Sequence, residues 1–179
     1  CDTGTVIAWV ARHLTIKPDQ RFTLSSALGT MGVALPGAIG AQLAFPDRPV
    51  YALAGDGGFA MTMTDLMTAV SHQLPIRIIV LNNAKLGFIG LEQEVKGLPA
   101  FGITVNNIDF VQFAAACGVH GIRVTRPDEL EFALKEARGH QGPILIDVAV
   151  DPEALIMPPK IEWMQALNFA KAKVKEWLQ

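Results

Sequence analysis

Cysteine is scarce in this chain. Cys1 and Cys117 are the only two among 179 residues, which excludes a disulfide framework and makes a reducing cytoplasm the expected compartment. Charge excess is missing too. The net charge is −2 and no basic patch stands out, so the electrostatic footprint of a nucleic-acid binder is absent. No apolar run approaches the roughly 18 residues of a membrane span, and no signal-peptide pattern leads the chain. The four histidines, His13, His72, His120 and His140, show no metal-ligand spacing and read as helix-end or surface residues. There are no internal repeats, low-complexity tracts or linkers, so residues 1–179 read as one domain. The chain begins "CDTGTV", without Met or a leading polar segment, and the expectation is a fragment of a longer protein.

What is present is a regular alternation. Apolar runs of strand length lie near Arg21–Leu24, Val50–Ala54, Ile76–Leu81, Gly121–Val124 and Pro143–Val150. "PILIDVAV" is almost continuously apolar and β-branched, as expected of a strand covered on both faces. Helical patterns separate these runs. Met63, Leu66, Met67 and Val70 fall on one helical face, with Thr62 and Asp65 as a capping-box-like start and Pro75 as the stop. Asp109 is placed to cap "FVQFAAAC" and Gly118 to end it, while Pro127 and Gly139 bracket a further helix. "GVALPGAIGAQLAF" has the small residues of a helix lying close against its neighbours. This alternation predicts an α/β fold, three layers α/β/α, with a central parallel sheet of five or six strands.

Against that background "YALAGDGGFAMTMTDLM" becomes informative. Asp-Gly between apolar stretches ordinarily signals a β-hairpin. A helical pattern follows Gly58, however, so no antiparallel partner is available. Asp56 is instead expected at the C-terminal end of a parallel strand, where open α/β sheets bind ligands. Gly57 and Gly58 would let backbone N–H groups approach an anion, and an acid in such a site calls for a cation such as Mg²⁺. "IRIIVLNN" ends on Asn83, 27 residues after Asp56, the length of one βαβ unit. Its right-handed crossover returns both strand ends to the same edge. Asp56, Asn83 and the backbone carbonyl of Lys85 are the expected metal ligands. Diphosphate oxygens and water would complete an octahedron at about 2.1 Å.

"GDGG…LNN" resembles the signature of the thiamine diphosphate-dependent enzymes. The resemblance extends over essentially the whole chain, to the C-terminal, diphosphate-binding domain of the pyruvate oxidase and quinone-linked pyruvate dehydrogenase group. It implies the thiamine diphosphate-binding fold, with thiamine diphosphate and Mg²⁺ as cofactors and FAD only in the full-length protein. "CDTGT" resembles the diphosphate-side turn, placing Thr5 and Val6 near the phosphates. "ALGTMGVALPGAIGAQ" resembles the pyrimidine-side segment, with the Gly29 carbonyl and Met31 holding the bent cofactor. "LGFIGLEQE" resembles the active-site loop and helix, with Phe88, Ile89 and Glu92 facing thiazolium and substrate. "ALIMPPKI" resembles the family's tail. Leu86 stands where some members carry an aromatic residue.

The resemblance further implies a small 2-oxo acid substrate, pyruvate, decarboxylated and then oxidised by the flavin. It implies a homo-oligomer in which the activating glutamate comes from a pyrimidine-binding domain of another subunit, outside these residues. Outside the family context, Met31 reads as core filler, Phe88 as packing and Glu92 as a solvated helix residue. Asp2-Thr3-Gly4 spells the aspartic-protease triplet, but that chemistry needs two copies in a β-rich fold. The amphipathic "IEWMQALNFAKAKVKEWL" suits a helix packed on the domain, with a membrane-surface role as the alternative. Two other functional readings stay open: an acetolactate synthase-type carboligase domain, which shares the metal signature, and a non-catalytic thiamine-fold assembly module.

Overall fold

Four apolar runs become strands: β1 (Val50–Gly55), β2 (Ile76–Asn82), β3 (His120–Val124) and β4 (Ile144–Ala149). The computed structural model describes residues 1–105, 108–154 and 162–178. Its sheet has the order β1-β2-β4-β3, with every pair parallel. The last strand in the sequence therefore lies between two earlier ones. Ile144, Leu145 and Ile146 are all fully buried, since helices cover β4 on both faces; this is why its sequence shows no alternation.

Even-numbered positions of β2 (Ile76, Ile78, Val80) point to one helical layer. That layer contains α2 (Ala34–Ala44), α3 (Asp56–Thr62), α4 (Leu66–Ser71) and α6 (Phe110–Ala116). Its centre is an edge-to-face pair, Phe59 on Phe110, with ring centroids 5.2 Å apart. On the opposite face Ala133 and Ala137 of α7 (Pro127–Gly139) pack on Ile144 and Ile146 of β4. Beside β1 on that face, α1 (Thr5–His13) lays Val6, Trp9 and Val10 over Leu53 and Leu81, around an apolar cavity of ≈ 280 Å³. The α/β/α layering and the parallel sheet are as the sequence predicts. Asp109 does cap α6, its Oδ1 accepting from Gln112 N at 2.9 Å, and Gly118 ends that helix at φ +76°.

Two expectations are corrected. Residues 21–24 form no strand. Asp2 N donates to Leu53 O at 2.8 Å and the Cys1 amine to Thr23 O at 2.9 Å, so Cys1–Asp2 run between that segment and β1. Two residues cannot build the ladder that would hold a fifth strand, and the sheet has four strands among the described residues. The helix expected from Thr62 onward instead begins at Asp56, with extended Gly55 as its N-cap. It breaks at Thr62, whose Oγ1 donates to Gly32 O at 3.1 Å instead of capping. A 3₁₀ turn over Met63–Asp65 then leads into α4.

Two helices stand at the strand ends. After β2 comes α5 (Gly87–Val95), and α8 (Trp163–Trp177) packs across it, burying Ala172. Lys173 pairs with Glu94, and Lys175 Nζ donates to Gly97 O at 2.8 Å. The C-terminal amphipathic segment is thus a helix packed on the domain. No helix among the described residues is long and apolar enough to cross a membrane. Of the tail-like "ALIMPPKI", residues 155–161 lie outside the described residues.

Candidate functional site

Parallel pairing brings the ends of β1 and β2 side by side, with Gly55 opposite Leu81. The next residues on the two strands are Asp56 and Asn82-Asn83. Asp56 is the first residue of α3 and is only 3% exposed. Its Oδ1 accepts from Gly57 N at 2.9 Å, while its Oδ2 is buried without a hydrogen-bond partner. Burial pushes the Asp56 carboxyl above its ordinary pKa. The Gly57 and Ala84 N–H groups pull it back in part, and the nearby Asp147 charge raises it further. An orphaned carboxylate oxygen in the interior is costly unless a cation or donor completes it.

The chain after β2 forms a stiff turn. Asn82 Oδ1 accepts from Ala84 N at 3.3 Å, and Asn83 Oδ1 accepts from Lys85 N at 3.1 Å. Ala84 is held in the left-handed region at φ 55°. Residues 103–105 clamp the turn from outside: Leu86 N donates to Ile103 O at 2.7 Å and Val105 N to Ala84 O at 2.9 Å. The Lys85 ammonium is engaged by Glu153.

The glycines are where segments meet. A Cβ on Gly57 would lie 2.5 Å from Leu86 Cδ2 and 3.5 Å from Met31 Cε, so Met31 reaches the Asp-Gly-Gly turn. A Cβ on Gly58 would lie 2.0 Å from Asp2 Oδ2. A Cβ on Gly87 would lie 2.7 Å from Thr5 Cγ2 and 3.6 Å from Asn83 Nδ2. Segments 2–5, 31–33, 56–58 and 82–87 therefore converge on one edge of the sheet. A cavity of ≈ 60 Å³ opens there, lined by Thr5, Asn83, Lys85 and Phe88 together with Glu94 and Ile103.

Val6, Gly29, Ile89 and Glu92 do not line this cavity. Val6 is buried against the sheet, so only its backbone could face a ligand. Gly29, at φ 60°, lies on an exposed turn. Ile89 and Glu92 are exposed on α5 and do not line the cavity. Sequence reasoning missed three polar residues, Asp2, Asn82 and Asp147. Asp2 and Asp147 are fully buried. The signal for Asp147 was legible: a lone acid inside an otherwise apolar strand.

Among the described residues no group of three His, Cys, Asp or Glu side chains could hold a metal. A cation at Asp56 would take its other ligands from amide, backbone and cofactor oxygens. An all-oxygen set built on one orphaned carboxylate suits a hard cation such as Mg²⁺.

Comparison with known proteins bears on this geometry. Residues 2–148 match the family model described as "Thiamine pyrophosphate enzyme, C-terminal TPP binding domain". The chain is 44% identical over 178 residues to YdaP of Bacillus subtilis (strain 168), whose name marks it as thiamine pyrophosphate-containing; the match covers 99% of this chain and 31% of YdaP. It is 37% identical to the acetolactate synthase isozyme 2 large subunit of Escherichia coli (strain K12), covering 88% of this chain and 29% of that one. Identity to the pyruvate oxidase of Lactiplantibacillus plantarum is 36%, covering 94% and 28%. The thiamine diphosphate-dependent 4-hydroxybenzoylformate decarboxylase of Rhodococcus jostii RHA1 superposes with a TM-score of 0.65 at 38% identity, covering 69% of this chain and 24% of that one. The chain thus spans under a third of the length of these relatives.

Proposed function

Because the chain belongs to the thiamine pyrophosphate enzymes, as their C-terminal TPP-binding domain, we propose that it is the diphosphate- and Mg²⁺-binding domain of a 2-oxo acid decarboxylating enzyme. The observation that carries this reading is the orphaned Oδ2 of buried Asp56 beside the Asn83 turn. Asp56, Asn83 and the Lys85 carbonyl would hold Mg²⁺, and Thr5 and the Val6 backbone would face the diphosphate. Met31, reaching Gly57, would support the bent cofactor. When bound, thiamine diphosphate supplies the nucleophilic carbon that makes decarboxylation of a 2-oxo acid accessible. The chain's own part is orientation and charge compensation. Phe88, at the cavity, would help exclude water from the substrate side, with Ile89 and Glu92 following on the same helix.

Within this class we favour the pyruvate oxidase type, in which FAD and the pyrimidine-binding domain belong to the full-length, oligomeric protein. "GFIGLEQE" supports that branch. The likeness to acetolactate synthase supports the carboligase alternative. Product analysis with pyruvate separates them: an oxidase yields an acetyl product with reduction of an acceptor, and a carboligase yields acetolactate without one.

The site is tested by binding. Thiamine diphosphate with Mg²⁺ should raise the thermal midpoint, by about 2.7 kcal/mol of stabilisation if the ligand reaches 100 times its Kd. Asp56→Ala should abolish the shift, and EDTA should remove most of it. An undiminished shift in Asp56→Ala would overturn the reading.

A further inference from the structure

A second buried acid stands behind the proposed ligands. Asp147, in the middle of β4, is fully buried, and its Oδ1 accepts from Asn82 Nδ2 at 3.1 Å. Arg123 of β3, its register partner, brings Nη2 to 3.0 Å from Oδ2, an ion pair without the alignment of a hydrogen bond. On its outer side Arg123 reaches Asp109 Oδ1 at 3.4 Å, the carboxylate that caps α6. A chain of polar contacts therefore runs from an exposed helix cap through the sheet to Asn82.

Asn82 is where this chain meets the site. Its amide nitrogen is bonded to Asp147, its amide oxygen accepts from Ala84 N, and its backbone oxygen accepts from Val150 N at 2.9 Å. Ala84 lies between Asn83 and Lys85, and its conformation is one that a residue with a Cβ adopts only under constraint. A charge buried mid-strand costs desolvation free energy that an apolar residue of similar volume would avoid. Interstrand cohesion alone does not account for an acid here, because the flanking Ile146 and Val148 supply that by burial.

We propose that Asp147 is a positioning residue: backed by Arg123, it fixes Asn82 and thereby holds the Asn83–Lys85 turn in the shape that presents metal-ligand oxygens. This rests on reading Asp56 and Asn83 as the Mg²⁺ site.

The test is Mg²⁺ affinity at saturating thiamine diphosphate, measured calorimetrically on variants that retain native near-UV circular dichroism, well below their thermal midpoints. Asp147→Ala and Asn82→Ala should each weaken Mg²⁺ binding about 10–100-fold. The double variant should be no weaker than the worse single one, because both cut one chain of contacts. Asp147→Asn keeps an acceptor for Asn82 Nδ2 and should stay within about threefold of the parent. A purely structural staple would lower the thermal midpoint and leave the affinity of the folded protein unmoved. A folded Asp147→Ala variant that binds within threefold of the parent overturns the proposal, as do additive losses in the double variant. If Asp147→Ala does not fold, unchanged affinity in Asn82→Ala overturns it instead. Asp56→Ala is the separate control. Parent-like Mg²⁺ binding in that variant would refute the site itself, whereas lost binding there with intact Asn82→Ala and Asp147→Ala would refute the positioning role alone.

Discussion

Gly58 occupies a position no side chain can share. A methyl group there would meet the Asp2 carboxylate at 2.0 Å, and that carboxylate is pinned by Val33 N donating to its Oδ1 at 2.9 Å. Gly58→Ala should therefore cost about 1–3 kcal/mol in denaturant unfolding. Gly57→Ala should cost less, since its sub-3 Å neighbour is the Leu86 methyl, which can rotate away. Asp2 itself predicts a pH effect. Burial raises its pKa above the ordinary 3.8. The folded state then holds this proton more tightly than the unfolded state, so the stability it contributes is full below about pH 4 and is lost as pH rises through the folded value. Asp2→Asn, which cannot ionise, should gain on the parent as pH rises from about 4 upward. Thermal midpoints in EDTA across that range check this, and a constant difference would contradict it.

At the scale of elements, the turn joining β2 to α5 contains the one strained residue of the site. Ala84→Gly relieves the left-handed strain and loses chain entropy in roughly equal measure, so stability should change by less than about 1 kcal/mol. Ala84→Val should destabilise by more, because a β-branched side chain fits φ 55° poorly. Chemical denaturation of the two variants distinguishes these outcomes. β2, which leads into this turn, and its neighbour β4 were legible in the sequence, because each is an almost continuous apolar run, interrupted within the strand only by Arg77 and by Asp147. Asp56 and Asn83 were legible for a related reason: each ends such a run, and their spacing is one crossover. What was not legible depended on partners distant in the chain. Arg21–Leu24 has the composition of a strand but only Cys1–Asp2 beside it. Thr62 has the sequence of a cap, yet Gly32 O takes its hydroxyl. The Asp147–Asn82 bond joins residues 65 apart, and no local pattern announces it.

For the whole molecule, the proposed function predicts that this chain alone does not turn over pyruvate. Among the described acids near the site, Asp56 is assigned to the metal by the proposed function, Asp2 is tied to Val33 and Asp147 to Asn82 and Arg123, Glu94 pairs with Lys173 and Glu153 with Lys85, and Glu92 is exposed on α5. Missing a general acid–base group typically costs 10²–10⁴-fold. An assay of CO₂ release with thiamine diphosphate, Mg²⁺, flavin and an electron acceptor should therefore stay at background. Turnover that disappears in Asp56→Ala would show that a sufficient base lies within these residues. The strand order also bears on how the protein is made. On a ribosome β1, β2 and β3 emerge first, yet β2 and β3 are not neighbours; the slot between them waits for β4. Until Ile144–Ala149 leave the exit tunnel, two unpaired strand edges stand open to self-association or to a holdase chaperone. Asp147 arrives on that same strand, so a nascent chain acquires the Asn82–Asp147 contact, proposed above to brace the Asn83–Lys85 turn, only when the slot is filled.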